Sequence, residues 1–242
     1  MNKVFAKLET ADVEQAADVV GGAVTALPTD VYSGTIKLAY VGTSRSSDAQ
    51  SVNLHIDING TEIRNTVWVV SGKGLMYYEK EGSKIPLPGF ALINDICMLA
   101  TEKSLTEQES EEKVVKLWDY EAKKELPTSV PVLTGLTNVP VKLAITRQIV
   151  DKNKKDEQSG KYVPTGETRT ENELNKTFHP ETNRTVNEYL HNIEEPEFYT
   201  AWLERHKGKD RDRSKGTKGG PGSSGVGKPG ANTNSAAKKL FG

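Results

Sequence analysis

Two stretches of the sequence place flat aromatic rings beside cationic side chains at every second position. From Thr61 to Val70, Arg64 and Trp68 lie on the face opposite to the apolar residues. From Lys113 to Tyr120, the corresponding outward side chains are Lys116, Trp118 and Tyr120. Aromatic faces stack on unpaired bases and cations contact phosphates, so this composition is typical of surfaces that bind single-stranded nucleic acid.

Further basic and aromatic residues extend this candidate set. Tyr77 and Tyr78 lie next to Lys73 and Lys80 in a segment that we interpret as a loop. The remaining candidate cations are Lys37, Lys142 and Arg147. All of them would contact the phosphate backbone, which carries no sequence information, and the predicted binding is therefore insensitive to base sequence.

These assignments have simpler alternatives. A tryptophan on a strand commonly packs beneath a loop or a second layer, and Val114 shares the outward face of Trp118. Arg64 has Glu62 and Asp57 as nearby ion-pair partners. The sequence leaves both alternatives open.

Other reactive side chains form no catalytic pattern. His55 and Asp57 lie two residues apart on an outward strand face, but no nucleophile or oxyanion site accompanies them, so we interpret them as a polar surface. Four histidines and the single Cys97 offer no zinc-ligand spacing, and one cysteine suits a reducing cytoplasm. The sequence therefore predicts neither catalysis nor a bound metal or cofactor.

Alternating apolar residues mark the strands that must position these side chains. The pattern predicts strands over 35–41, 51–58, 61–70, 113–120 and 141–150. In the first strand the predicted core residues are Ile36, Leu38 and Tyr40. Asn59-Gly60 predicts a tight hairpin turn, because a type I′ turn needs positive φ at both central residues. Apolar spacing predicts a helix over 90–100.

The order of these elements predicts a mainly β protein. Three strands, a helix and two strands is the order of an OB-fold, a five-stranded Greek-key barrel with its helix between strands three and four. A β-sandwich is the alternative. We expect an extra C-terminal hairpin with its tip at 152–160 and a helix over 195–206.

A net charge of −1 conceals a division of the chain into a basic segment and an acidic body. Residues 207–242 sum to +7 and residues 1–206 to −8. The basic segment is rich in Gly and Lys and poor in apolar residues, which predicts a disordered tail that adds phosphate contacts or acts as a solubilising linker. The expected divisions are an N-terminal extension over 1–30, an OB-fold core over 31–151, a packed elaboration over 152–206 and this tail.

Four long stretches resemble the single-stranded DNA-binding proteins of tailed bacteriophages, a divergent OB-fold group. They are LPGFALINDICMLAT from Leu87, EKVVKLWDYEAKKELPTSVPVL from Glu112, VDKNKKDEQSGKYVPTGETRTENELNKTFH from Val150, and WLERHKGKDRDRSKG from Trp202. The resemblance implies coating of single-stranded DNA during phage DNA replication, recombination and repair, without catalysis, in the cytoplasm of the infected bacterial host.

The sequence also gives expectations about protein partners and membranes. Leu240-Phe241 is a candidate docking peptide for phage or host replication proteins, being the only large apolar pair after Leu203. No apolar run of 18 residues or secretory signal is present, so we expect no membrane association. The alternative functions are a virion structural or interaction protein with no DNA affinity, and a strand-annealing or RNA-binding protein.

Overall fold

A computed structural model of the chain describes residues 26–44, 46–119, 122–156, 158, 160 and 162–215. The strands are β1 (Asp30–Thr43), β2 (Gln50–Ile58), β3 (Thr61–Val70), β4 (Tyr77–Lys80), β5 (Ser83–Pro86), β6 (Ser110–Asp119), β7 (Lys124–Leu133), β8 (Val139–Lys155), β9 (Tyr162–Phe178) and β10 (Arg211–Asp212). The α-helices are α1 (Pro88–Thr101), α2 (Val186–Leu190) and α3 (Glu197–His206). The predicted mainly β character is confirmed, and the predicted helices over 90–100 and 195–206 correspond to α1 and α3.

The β2–β3 hairpin forms as its turn sequence predicts. Asn59 and Gly60 have φ values of 53° and 81°, the positive values that a type I′ turn requires. The Asp57 carboxylate accepts a hydrogen bond from the Gly60 amide at 2.8 Å and closes the turn. Ile58 then pairs with Thr61, which sets the register of the whole hairpin.

A bulge in β1 changes which of its residues face the core. Pairing with β2 skips one residue between Ile36 and Leu38, so Lys37 is the extra residue. Beyond it Ala39 is fully buried, whereas Tyr40 is only partly buried. The predicted core face is therefore correct at Ile36 and wrong at Tyr40, because one inserted residue reverses the alternation.

The main sheet is antiparallel and open within the described residues. Its strand order is β10-β8-β1-β2-β3, with β7 pairing with β1 and β6, and β9 pairing with β8. β8 pairs with the first half of β1, and β7 meets its second half where Tyr40 pairs with Val132. In the part of the chain that the structure describes, β3 pairs with β2 alone, so the predicted closed five-stranded barrel is not formed by these residues.

Helix α1 covers the core beside β3. Pro88 occupies its first turn, where a missing amide proton costs nothing, and Glu102 ends it in a left-handed conformation. The buried side chains of its inner face are Leu92, Ile93, Ile96 and Cys97. Burial raises the pKa of the Cys97 thiol to about 12, so this thiol stays protonated and unreactive at neutral pH.

Gly89 holds the first turn of α1 against the backbone of β3. A Cβ built on Gly89 would lie 2.1 Å from the carbonyl oxygen of Trp68. A glycine-to-alanine change normally stabilises a helix by up to about 1 kcal/mol, but overlap with a backbone atom should reverse that sign here. We expect Gly89→Ala to lower the free energy of unfolding by about 1–3 kcal/mol in a urea titration.

The matched control for this variant is Gly72→Ala. A Cβ at Gly72 would meet only the Ser47 side chain, at an ordinary 3.4 Å. Its free energy of unfolding should change by less than about 0.5 kcal/mol. Equal stability of the two variants would contradict the close contact between α1 and β3.

Residues 170–211 belong to the same compact unit as residues 26–148. Leu174 joins the main core, while a second buried cluster consists of Ala144, Phe178 and Trp202. The Trp202 indole donates a hydrogen bond to the Asn175 side chain at 2.7 Å. Helix α3 is thus held against β8 and β9 by both apolar packing and a part-buried hydrogen bond.

Part of the predicted disordered tail is ordered. Lys207 Nζ lies 2.9 Å from Asp30 Oδ2, and the Gly208 amide donates to the Thr29 carbonyl at 2.8 Å. Arg211 begins β10. Ion pairs and backbone hydrogen bonds hold this segment in place. The prediction of disorder was wrong here because it considered only the lack of apolar residues. Residues 216–242 and residues 1–25 of the predicted N-terminal extension lie outside the described residues.

A second unit comprises the described residues from 149 to 169 and from 212 to 215. It contains the far half of the β8–β9 hairpin, where Lys152 Nζ and Glu167 Oε2 are 2.8 Å apart. The Arg213 amide donates to the Ile149 carbonyl at 2.8 Å. The predicted C-terminal hairpin is thereby confirmed. No helix among the described residues is long and apolar enough to span a membrane.

Candidate nucleic-acid interface

A groove lies over the outer face of β1, β2 and β3 and is bounded by β6. Its volume is about 350 Å³. Its aromatic and polar lining residues are Tyr40, Asn53, His55, Arg64, Asn65, Thr66 and Trp118. Tyr40 reaches this face only because the bulge at Lys37 reverses the alternation of β1. The groove thus combines rings, a guanidinium and neutral hydrogen-bonding groups.

Two tryptophans offer half of their surface to solvent at this face. Trp118 lines the groove and is 49% exposed, and Trp68 is 52% exposed. Trp68 continues the row of exposed residues that begins with Glu62, Arg64 and Thr66 on β3. The outward orientation predicted for both tryptophans is confirmed, and a ring held on one side and open on the other is suited to stacking on a base.

Arg64 lies between two carboxylates. Its Nε donates to Glu62 Oε1 at 2.6 Å, and its Nη2 lies 3.9 Å from Glu125 Oε1 on β7. The alternative that Arg64 pairs with Glu62 is therefore confirmed. All three side chains are about half exposed, so the ion pairs are weak, and the guanidinium has further donors to offer a phosphate.

The floor of the groove is polar. Thr66 Oγ1 donates to Asn53 Oδ1 at 2.7 Å, and Asn53 Nδ2 donates to Ser51 Oγ at 3.3 Å. These bonds fix the Asn53 amide across two strands. The His55 ring meets the edge of Tyr40 with ring centroids 6.0 Å apart. Hydrogen bonds and a ring contact thus hold the side chains of the groove floor in place.

His55 is uncharged at neutral pH. Burial lowers its pKa, and the positive charge of Arg64 lowers it further, against the opposing effect of Glu62, whose carboxylate lies 3.5 Å from Nδ1. His55 lies on the outward face of its strand, as the sequence predicts, but its side chain is buried there beside Tyr40. His55 therefore contributes a neutral ring, and not a charge, to the floor of the groove.

The lowered pKa of His55 predicts a loss of stability in mild acid. The unfolded chain binds a proton near pH 6.5, before the folded protein does, so protonation favours unfolding. The contribution is complete above about pH 6.5 and is lost as the pH falls through the folded-state pKa. We expect urea titrations between pH 7 and 5 to show this fall, and to show a smaller one for His55→Gln.

His206 is the control for that measurement. Its pKa is also lowered, by burial first and by Arg205 next, so His206→Gln should remove a separate part of the same fall. Most carboxylates titrate near pH 4, below the chosen range. Identical pH profiles for His55→Gln and the unaltered protein would contradict a neutral, buried His55.

Four predicted residues lie on exposed strands without lining the groove. Lys116 is exposed on β6 two residues before Trp118, and Lys37 is exposed at the bulge of β1. Tyr77 and Tyr78 lie on β4, which forms a two-stranded sheet with β5 and not the predicted loop. Lys84 Nζ lies 4.7 Å from the centre of the Tyr77 ring.

Lys142 and Arg147 lie away from the groove. Both are on β8, which borders β1 on the side opposite to β2. Lys142 Nζ donates to Asn183 Oδ1 at 2.7 Å, and Arg147 Nε donates to Asp210 Oδ1 at 2.8 Å. Their assignment to the same surface as Trp68 is corrected by the strand order. Tyr120, also predicted for this surface, lies outside the described residues.

Sequence reasoning missed part of the groove. The alternation of β1 predicts Tyr40 in the core, and nothing in the sequence singles out Asn53 or Thr66 among the polar positions of their strands. Glu125 lies on β7, a strand that the alternation did not predict. The polar outward face of β2 and β3 was the sequence signal that could have indicated the groove. No local sequence pattern indicates the bulge in β1.

Comparisons with known proteins provide no independent assignment of the groove. No protein-family model matches the chain, and no curated protein or solved structure matches it. Its interpretation as a nucleic-acid interface therefore depends on the groove's own side chains.

Proposed function

We propose that this protein binds and coats single-stranded DNA without strong sequence preference. The observation that carries the proposal is a pair of half-exposed tryptophans: Trp118 lines the polar groove together with Arg64, and Trp68 lies four residues beyond Arg64 in the exposed row of β3. Stacking on each ring contributes about 1–3 kcal/mol per base and accepts any base. Arg64 and the nearby Lys116 supply phosphate contacts.

The charges around the groove make stacking the larger contribution. Glu62 and Glu125 offset the charge of Arg64, and the body of the chain is acidic. Each phosphate contact on a single strand adds about −0.7 to the slope of log K against log salt. A site with few free cations should therefore show a shallow salt dependence, whereas a site that depends on cations would show a steep one.

We further propose that the fold is a divergent member of the OB-fold group. β1, β2 and β3 form a three-stranded meander, α1 follows the third strand after the β4–β5 hairpin, and β7 and β8 both return to β1. OB-folds bind oligonucleotides on the face of strands two and three, where the groove lies. The edge of β3 stays open in the described residues, which is the main departure from a closed barrel.

The biological setting of this proposal comes from the sequence resemblance. It comprises a non-enzymatic role in phage DNA replication, recombination and repair, in the cytoplasm of the infected bacterial host. Recruitment of replication proteins through Leu240-Phe241 belongs to the same proposal, although these residues lie outside the described part of the chain.

Intrinsic tryptophan fluorescence tests the proposal directly. Titration with a dT oligonucleotide of about 16 nucleotides, the upper site size of one OB-fold, should quench the emission, because stacked bases contact Trp68 and Trp118. Duplex DNA of equal length should cause little quenching, and dA and dC oligonucleotides should bind within a small factor of dT.

Other outcomes separate the alternatives. No quenching and no binding at low salt would contradict the proposal and favour an interaction protein without DNA affinity. Clearly tighter binding of an rU oligonucleotide than of dT would favour the RNA-binding alternative. Binding of duplex and single strand with equal affinity would exclude stacking as the main contact.

A further inference from the structure

A second groove lies on the other side of the edge strand β3. It also has a volume of about 350 Å³ and is bounded by the first turn of α1 and by β9. Asn65 and Thr66 line both grooves. The two grooves therefore adjoin at these residues of β3.

Trp68 and Arg211 are the features of the second groove that match the chemistry of the first. Trp68 lines it from β3, and Arg211 lines it from the start of β10. A half-exposed tryptophan and a guanidinium thus line the second groove, as Trp118 and Arg64 line the first. The repeat of this pairing across β3 indicates two subsites of one path.

The Arg211 side chain is suitably free to contact a phosphate. It is 54% exposed, and its Nη1 lies 3.7 Å from Glu173 Oε2, longer than a hydrogen bond. A guanidinium carries five N–H donors in a planar fork that matches phosphate oxygens. Glu173 therefore orients the fork while leaving donors available to a ligand.

We propose that a single strand bound in the first groove continues over β3 into the second, where Arg211 contacts its backbone phosphate. This inference rests on the proposed function and adds a subsite to it. It also gives the ordered beginning of the basic segment a specific role, because Arg211 belongs to the part predicted to be disordered. The path across β3 requires more nucleotides than the first groove alone.

Oligonucleotides of two lengths test the inference. Site sizes of OB-folds run from about 4 to about 16 nucleotides. A dT oligonucleotide of the shorter length should occupy the first groove alone, and one of the longer length should span both grooves. Arg211→Gln should leave the affinity for the short oligonucleotide unchanged. It should weaken binding of the long one and reduce its salt slope by about 0.7, the contribution of one phosphate contact.

Three further variants keep the test interpretable. Arg211→Lys should restore the salt slope, because it keeps the charge. The double variant Arg211→Gln with Glu173→Gln removes both members of the ion pair and should repeat the loss, which separates binding from any effect of the lost ion pair on stability. Lys103→Gln removes an exposed charge that does not line either groove. It should leave the affinity for both oligonucleotides unchanged.

The outcomes distinguish this inference from the function on which it rests. If the unaltered protein binds neither oligonucleotide, the proposed function fails and the path fails with it. If it binds both, and Arg211→Gln weakens both equally or neither, only the path across β3 is overturned.

Discussion

Trp118→Ala should reduce the affinity of the folded protein for a dT oligonucleotide by about 1–3 kcal/mol, or about 5- to 150-fold. Trp68→Ala should have an effect of similar size. Each ring is about half exposed, so truncation removes a stacking surface while leaving few buried contacts behind. Binding is measured by fluorescence anisotropy of a labelled oligonucleotide, which does not depend on the missing indole.

Stability measurements decide whether these losses report on binding. Both variants should unfold at nearly the same urea concentration as the unaltered protein, because neither ring belongs to a buried cluster. Trp118→Phe and Trp68→Phe keep an aromatic face and should retain most of the affinity. Unchanged affinity in both alanine variants would remove the groove as the binding site.

Trp202→Ala should instead lower the free energy of unfolding by about 3–5 kcal/mol. Trp202 is only 4% exposed and packs with Phe178 and Ala144, and its indole N–H is satisfied by Asn175. The variant would leave a cavity beside Phe178 and Ala144, and the Asn175 side chain would lose its indole donor. Urea titration followed by circular dichroism measures the change without relying on tryptophan emission.

The control lies on the same helix. Phe198→Ala also removes a large aromatic ring from α3, but that ring is 47% exposed and should cost far less stability. The three tryptophans of the chain thus predict opposite phenotypes: binding is lost at Trp68 and Trp118, and stability is lost at Trp202. Equal stability of Trp202→Ala and Phe198→Ala would contradict the packing of α3 against β8 and β9.

Strands with a clean two-residue alternation were predictable because each has one face against the core. β2 and β3 show this best, since the Asn59-Gly60 turn fixes their register and the apolar positions follow from it. The helix α1 was predictable for the same reason, through a four-residue cluster on one face. In both cases, local spacing and burial agree.

Strands without that alternation were either missed, as β7 was, or implied only as the return strand of the predicted C-terminal hairpin, as β9 was. β7 contains Pro127 and Pro131, which argue against a strand, yet it pairs with β6 along its length and with β1 at one position. β9 is polar over most of its length because only its last part is buried, at Leu174, Thr177 and Phe178. Such strands are stabilised by their neighbours and not by their own pattern.

The sequence by itself determined that Arg64, Lys116, Trp68 and Trp118 point outward from β-strands, because a period of two depends only on neighbouring residues. Only the tertiary structure decided which outward residues share a surface. The bulge at Lys37 brings Tyr40 into the groove, and the strand order carries Lys142 and Arg147 away from it.

The tertiary structure also decided which carboxylates lie near Arg64 and where Arg211 is positioned. Glu125 approaches Arg64 from a strand about sixty residues away in sequence, and Arg211 reaches the second groove from a segment that composition alone predicts to be disordered. Alternation assigns each side chain to a face of its own strand. Which faces meet depends on contacts between residues that are distant in sequence, and such contacts produce no repeating pattern in the sequence.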